Sequence, residues 1–373
     1  MNYQHDFADQ RICQTLIAQI FRQMPPRPVT LMEVCGTHTR AICQYGLREL
    51  LPAHLTLLSG PGCPVCVTPQ REIDRAIALA QRSGQRVCLA TFGDMLRVPG
   101  SAGSLEQARA RGADARVVYS ALDALAIAER EPRTPVVFFG IGFETTAPMA
   151  AASLKDAQQK GVRNYFVLSA HKLMPPALRA MLDNRDTRLD GLLLPGHVSA
   201  IIGTPPYQWL AETHHLPCAV AGFEPVDLLY AIAALIQQIA AGAAMIENCY
   251  ARVVPPGGNP LAREMMEEVF DAVDCEWRGL GMIPQSGLAI QERYRTFDAL
   301  NLCDAPPDAP SIEPDGCLCG DILRGTRQPF DCPLFGAACA PQTPIGPCMV
   351  SSEGACGIYY AFSKKAVRRL EGV

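Results

Sequence analysis

Apolar side chains return at helical spacing near the start of the chain, at Ile12, Leu16, Ile17, Ile20 and Phe21, with polar neighbours between them. The period predicts an amphipathic helix over 9–24, which Met24-Pro-Pro-Arg-Pro28 brings to an end. Val29-Thr-Leu-Met-Glu-Val34 then reads as a short buried strand, and 39–51 returns to a helical pattern. The same alternation recurs. Strands are predicted at 55–58, 86–90, 116–119, 134–139, 165–169, 191–194 and from Cys218, and helices at 72–82, 104–111, 147–160 and 226–241. Strands that alternate with helices through short connections predict parallel sheets covered by helices on both faces.

The expected fold class is α/β: two similar open parallel-sheet α/β domains facing a cleft, followed by a C-terminal loop-rich domain. The boundaries predicted are 28–120, 121–245 and 246–373, the last taken together with the N-terminal helix 1–27. Beyond Asn248 a linker at 253–260 and a helix at 261–273 are expected, then a Pro- and Asp-rich connection over 304–314.

Composition narrows the function. The chain has 373 residues, is 49% hydrophobic and carries a formal charge of −4. No basic run is long enough to follow a phosphate backbone, so nucleic acid is not an expected partner. No apolar stretch reaches the roughly 18 residues of a membrane span, and residues 1–10 lack the pattern of a signal peptide. A cytoplasmic protein is expected.

Sixteen cysteines change the picture. Cys13, Cys43, Cys88, Cys218, Cys249 and Cys275 stand singly among apolar or helical neighbours and read as small buried hydrophobes. Cys63 and Cys66 differ, because Ser59-Gly-Pro-Gly-Cys-Pro-Val-Cys-Val-Thr-Pro69 braces them with prolines. A C-x-x-C pair serves as a reversible disulfide, half of a zinc site, or part of an iron site. Cys35 sits where a strand hands over to a helix, the carboxyl edge at which open α/β sheets place ligands, with His38 and Asp94 as possible neighbours. Glu144-Thr-Thr146, after a Gly-x-Gly turn, is a candidate anion site at a helix start, and His171 and His197 end predicted strands.

Near the C-terminus Cys317-Leu-Cys319 is followed by Cys332, Cys339, Cys348 and Cys356, with six, eight and seven residues intervening. Well-separated single cysteines suit the corners of a 4Fe-4S cluster. Structural zinc and redox disulfides remain open, and Cys317 and Cys319 are left over as a nearby redox pair or as spectators.

Glu33-Val-Cys-Gly-Thr-His38, Gly60-Pro-Gly-Cys-Pro-Val-Cys66, Phe92-Gly-Asp94 with Val98-Pro-Gly100, Gly142-Phe-Glu-Thr-Thr146, Pro195-Gly-His197 and Cys348-Met-Val-Ser-Ser-Glu-Gly-Ala-Cys356 together resemble the hydrogenase maturation factor HypD family. The resemblance runs almost from end to end. It implies two α/β domains and a 4Fe-4S domain, with Cys332, Cys339, Cys348 and Cys356 as cluster ligands. It also implies a scaffold for the Fe(CN)2CO unit of nickel-iron hydrogenases, a transient mononuclear iron carrying CN and CO, built with the small chaperone HypC and the cyanide-delivering HypE. Cys35 matches the cysteine that holds this iron, and Cys63 with Cys66 match a redox-active pair. On this expectation Cys35 shares its iron with a cysteine of HypC, and electrons reach Cys63/Cys66 from the cluster through Cys317/Cys319. Arg40 departs from the pattern, standing where the family has a second histidine. The rival expectation is an iron-sulfur-dependent thiol-disulfide oxidoreductase, and a third is a cluster-containing binding module without chemistry.

Overall fold

A computed structural model describes residues 9–84, 86–183, 188–303 and 314–362. The connection expected over 304–314 falls, but for Pro314, outside them, as does most of segment 1–10.

Eleven strands occur among the described residues: β1 Val29–Glu33, β2 Leu55–Ser59, β3 Cys88–Thr91, β4 Asp114–Val117, β5 Val136–Gly142, β6 Tyr165–His171, β7 Gly191–Pro195, β8 Cys218–Ala221, β9 Ile246–Asn248, β10 Phe270–Trp277 and β11 Gly281–Ile290. Nine of them form two parallel sheets, in the orders β2-β1-β7-β8-β9 and β4-β3-β5-β6, and β10 with β11 forms an antiparallel hairpin. Two helix-covered parallel sheets are what the alternating pattern predicts.

The domain boundaries need correction. A cut between 120 and 121 would separate β3 and β4 from β5, to which β3 pairs from Cys88↔Val136 to Ala90↔Phe138. It would also leave β1 without β7, its neighbour from Leu31↔Gly191 to Glu33↔Leu193. The chain begins the first sheet with β1 and β2, builds the whole second sheet with β3 to β6, and returns to the first with β7 to β9. Pairing across such distances leaves no local signature in the strands themselves.

Strand side chains alternate between faces, and the core follows that alternation. In the first sheet Leu31, Leu193 and Ala219 join helices Gln10–Gln23 and Pro225–Ala241 in one cluster. In the second, Cys88, Ala90, Val136 and Phe138 join helices Ala121–Arg130 and Ala147–Lys160 in another. The opposite faces, with Met32, Leu192 and Val220 from one sheet and Leu89, Val137 and Phe139 from the other, share a single buried cluster with Cys63, Cys66, Trp277 and five cysteines of the C-terminal module, Cys319 and Cys348 among them. The inner faces of both sheets are therefore packed to the thiol-bearing loops.

One expected element changes type. The helix predicted over 261–273 stops at Val269, and the hairpin of β10 and β11 follows directly. Its first strand buries only Phe270 and Trp277 fully, so polar Asp271, Asp274 and Glu276 mask the period of a strand.

Candidate functional site

Glu33 and Ser59, the last residues of β1 and β2, are register partners, so the Cys35 and Cys63 loops leave the sheet side by side. The backbone closes the gap. Gly36 N donates to Gly62 O at 3.1 Å, and Gly60 N donates to Glu33 O at 2.8 Å. A Cβ on Gly62 would overlap the N and Cα of Cys35, so only glycine allows this approach.

Cys63 caps the short helix Pro64–Val67, with Pro64 in its first turn, where a missing N–H is harmless. Its sulfur accepts from Cys66 N at 3.1 Å, and the two cysteines are joined by a disulfide with Cα atoms 5.3 Å apart. Of the three uses open to the C-x-x-C pair, the disulfide is the one observed.

Cys35 is buried at the N-cap of helix Gly36–Gln44. Burial pushes its thiol up to about 12, and the nearby Glu353 carboxylate pushes the same way. The N–H groups of His38 and Thr37 oppose this by facing the sulfur, as a helix start does for an anion. An empty Cys35 is therefore a thiol at neutral pH, and a cation that binds it displaces the proton.

Glu353 lies inside the Cys348–Cys356 motif, where the cysteines carry the sequence signal and the carboxylate carries none. It accepts from Thr37 Oγ1 at 2.9 Å, and its backbone lies where a side chain on Gly36 would stand. Burial raises its carboxyl, and Asp94 adds to the shift. Asp94 itself accepts from Ser352 N at 3.1 Å, and Arg97 donates to Val350 O at 3.3 Å. Loops from both sheets and the turn between Val350 and Gly354 thus meet at Cys35.

The other candidates have different places. His38 is fully buried, donates through Nε2 to Ala221 O at 3.2 Å and packs on Phe223, leaving Nδ1 without a hydrogen-bond partner. Burial holds its ring down to about 4, so it is neutral at pH 7. His197 is exposed and stacks on the same Phe223 ring, with centroids 3.8 Å apart. Arg40 is exposed and lies over the Phe362 ring at 5.9 Å. Glu144 is turned to the backbone: its buried Oε1 accepts from Met174 N at 2.9 Å, at the start of helix Met174–Asp183. Its Oε2 has no hydrogen-bond partner, and burial pushes the carboxyl up to about 7.

In the C-terminal module Cys319, Cys332, Cys339, Cys348 and Cys356 are buried, and Cys317 is half-buried. Cys348 Sγ lies 2.8 Å from Cys319 Sγ, so a residue expected among the cluster ligands touches one expected to be left over. Cys356 responds instead to the charges of Cys319, Cys317, Cys339 and Cys332. The hydrogen bond with Cys319 and then burial hold the Cys348 thiol well above its usual range, and burial with repulsion from neighbouring thiolates does the same for Cys356, a cost that metal binding to thiolates removes. The donor chemistry fits an iron-sulfur cluster. The fit lies in donor type and proximity, since among the described residues no three His, Cys, Asp or Glu side chains are already set to hold a metal ion. The turn Pro347–Val350, which carries Cys348, packs against Pro64–Val67, which carries Cys66.

A family model described as the hydrogenase formation hypA family, HypD, matches residues 11–363. The chain belongs to the HypD family. Among relatives in that family, the hydrogenase maturation factor HypD of Escherichia coli is 47% identical over 340 residues, covering 91% of this chain and 90% of the relative. That of Rhodobacter capsulatus is 44% identical over 372 residues, covering 97% and 98%. That of Cupriavidus necator is 43% identical over 373 residues, covering 98% of each. No helix among the described residues is long and apolar enough to cross a membrane.

Proposed function

We propose that this HypD-family chain works in hydrogenase maturation as the scaffold on which the Fe(CN)2CO unit is assembled, with the iron held as cargo by Cys35. HypC is the proposed co-ligand partner and HypE the cyanide donor. The observation that carries this reading is the backbone bond between Gly36 and Gly62, which sets the Cys35 loop against the Cys63–Cys66 disulfide. A soft thiolate beside a two-electron thiol pair suits low-spin iron that receives cyanide.

The chain's own groups divide the work. Cys35 gives up its proton when iron binds, and the neighbouring Glu353 carboxylate is an acceptor at hand. The N–H groups of Thr37 and His38 steady the thiolate so formed. Cys332, Cys339, Cys348 and Cys356 are the four ligands proposed for a 4Fe-4S cluster, and Cys317 with Cys319 is the pair proposed to carry its electrons onward; Cys319 touches Cys348, on the turn that packs against the helix of Cys66. Two electrons and two protons delivered to Cys63–Cys66 leave both as thiols. When bound, such a cluster supplies electrons one at a time.

Replacing Cys35 by Ala tests the proposal. The iron-bound cyanide and CO stretches of the anaerobically isolated complex should vanish from its infrared spectrum while the cluster's visible absorption stays; bands that persist overturn the assignment. The observed disulfide also favours a second reading, a thiol-disulfide oxidoreductase, which predicts steady turnover of a generic disulfide and no such bands.

A further inference from the structure

Away from Cys35, the end of β6 meets the hairpin of β10 and β11, and a lysine and a cysteine face each other there. Lys172 is only 3% exposed. Its Nζ donates to Glu276 O at 2.8 Å and lies 3.4 Å from Cys275 Sγ. The Trp277 ring lies 5.6 Å from the same nitrogen. On its other side Cys275 Sγ is 3.2 Å from Ser286 Oγ, which accepts from Trp277 Nε1 at 2.9 Å. Both backbones are tied down. Lys172 bridges to Gly287, and a Cβ on Gly287 would stand 2.9 Å from Cys275 Sγ. A cavity of about 190 Å³ reaches both groups and is also lined by Arg71, Glu72 and His171. His171 is 1% exposed. Ser169 Oγ donates to Leu288 O, so it accepts from His171 Nδ1, and His171 Nε2 is left without a hydrogen-bond partner.

Burial favours the uncharged amine of Lys172, although the Cys275 and Glu72 charges oppose this. An amine whose charge burial disfavours and a thiol in contact with it, both reached by a small cavity, form a pair that an oxidant can join.

We propose that Lys172 and Cys275 are an oxidative modification site, at which dioxygen entering the cavity links Nζ to Sγ through one bridging oxygen atom. The step balances. The thiol loses its S–H and the amine one N–H; S–O and O–N bonds form; the second oxygen atom leaves as water with both hydrogens. Sulfur and nitrogen each give up two electrons, and dioxygen takes the four. The bridge spans somewhat less than the present gap, so closure needs side-chain movement only. It would fasten β6 to the hairpin, whose next residue, Arg278, donates its N–H to Val67 O at 2.9 Å, at the end of the helix that carries Cys66. Oxidant sensed at Lys172 and Cys275 would thus stiffen the support of the Cys63–Cys66 pair. This inference rests on neither the iron nor the cluster assignment.

The test is peptide mapping of the full chain, purified without oxygen and then held in air-saturated or oxygen-free buffer. After air exposure, trypsin should leave Lys172 uncut and yield peptide 164–179 joined to peptide 264–278, heavier than the two together by about 14 Da, one oxygen less two hydrogens. A thiol reductant should release the pair. Lys172→Arg, which keeps a basic side chain beside Trp277, and Cys275→Ser should each abolish the joined species. Air should also shift the thermal midpoint of the unsubstituted chain upward relative to the shift it causes in Cys275→Ser, a difference in which any effect of air elsewhere in the chain cancels. Recovery of Cys275 as an ordinary alkylated thiol after air exposure would overturn the inference. So would its recovery as a sulfinic acid with Lys172 cut normally.

Discussion

At the sheet edge, Cys35 and Cys63 leave neighbouring strands whose register is fixed from Val29↔Leu55 to Glu33↔Ser59. In the cysteine module, residues 314–362, six thiols are carried on short helical turns such as Cys319–Leu323 and Pro347–Val350, with isolated bridges at Phe335↔Cys339 and Ala340↔Thr343. The first region positions sulfur with backbone hydrogen bonds and a buried apolar sheet. The second positions it with thiols packed on one another, whose contact and burial hold Cys348 and Cys356 well above the usual thiol range. Their dependence on metal should therefore differ. The sheet edge is a site that the fold builds in advance, whereas the module is a fold that its ligand completes.

The largest expected effect tests that contrast directly. Stripping iron with a chelator under reducing conditions, or replacing Cys332 by Ala, should open the module to protease while the two sheets resist. Mass mapping of the first cuts should place them beyond residue 314. Cuts that appear equally early within β1 to β8 would break the comparison.

A pair of glycines sharpens it at intermediate size. In Gly62→Ala the new Cβ meets the Cys35 and Val34 backbone in the core, and neither is the far end of a flexible side chain. The expected loss is roughly 3 kcal/mol or more in a urea titration. Gly336 in the module has φ of +70° but open space around it, so Gly336→Ala should lose about 1 kcal/mol, from backbone strain alone. Equal losses would mean that the two regions constrain their backbones alike.

These differences explain how much was legible in the sequence. Cys35 and the Cys63/Cys66 loop were found because each follows an apolar run that reads as a strand, and prolines mark the pair. The Cys63–Cys66 link was one of several uses that the spacing allowed. The return of β7 to the first sheet was hidden, since Gly191–Pro195 is an apolar strand that fits either sheet until its partners are known. The contact of Cys319 with Cys348 was hidden for a related reason: spacing cannot reveal which thiols meet when 28 residues of loop lie between them. Glu144 was read as part of its own turn, but its carboxylate serves a backbone N–H thirty residues away. Glu353 and Lys172 carry no such signal, since a charged residue in sequence reads as exposed, whereas the fold half-buries the first and fully buries the second.

The smallest predicted effect comes from Glu144 and separates the regions by pH. Its carboxyl is raised from 4.5 to about 7 in the folded chain, so between those values the folded state holds a proton that the unfolded state has released. Stability must then fall as pH rises through this window and level off above it. His171 runs the other way: burial holds it down to about 3 against 6.5, so its contribution is lost as pH falls below 6.5. Glu33 is also raised to about 7 and has the same sign as Glu144, but it is present in both proteins when one substitution is compared. In the module the Glu353 carboxyl is raised as well and cancels in the same comparison, while the Cys348 and Cys356 thiols titrate far above this range. Glu144→Gln keeps an acceptor for Met174 N and removes the ionisation. Its stability relative to the parent should therefore improve from pH 5 to pH 7.5, by on the order of 1–3 kcal/mol, read from urea midpoints. Parallel curves would show that the Glu144 carboxyl ionises freely in the folded chain, and that the sheets are not as dry around it as its burial implies.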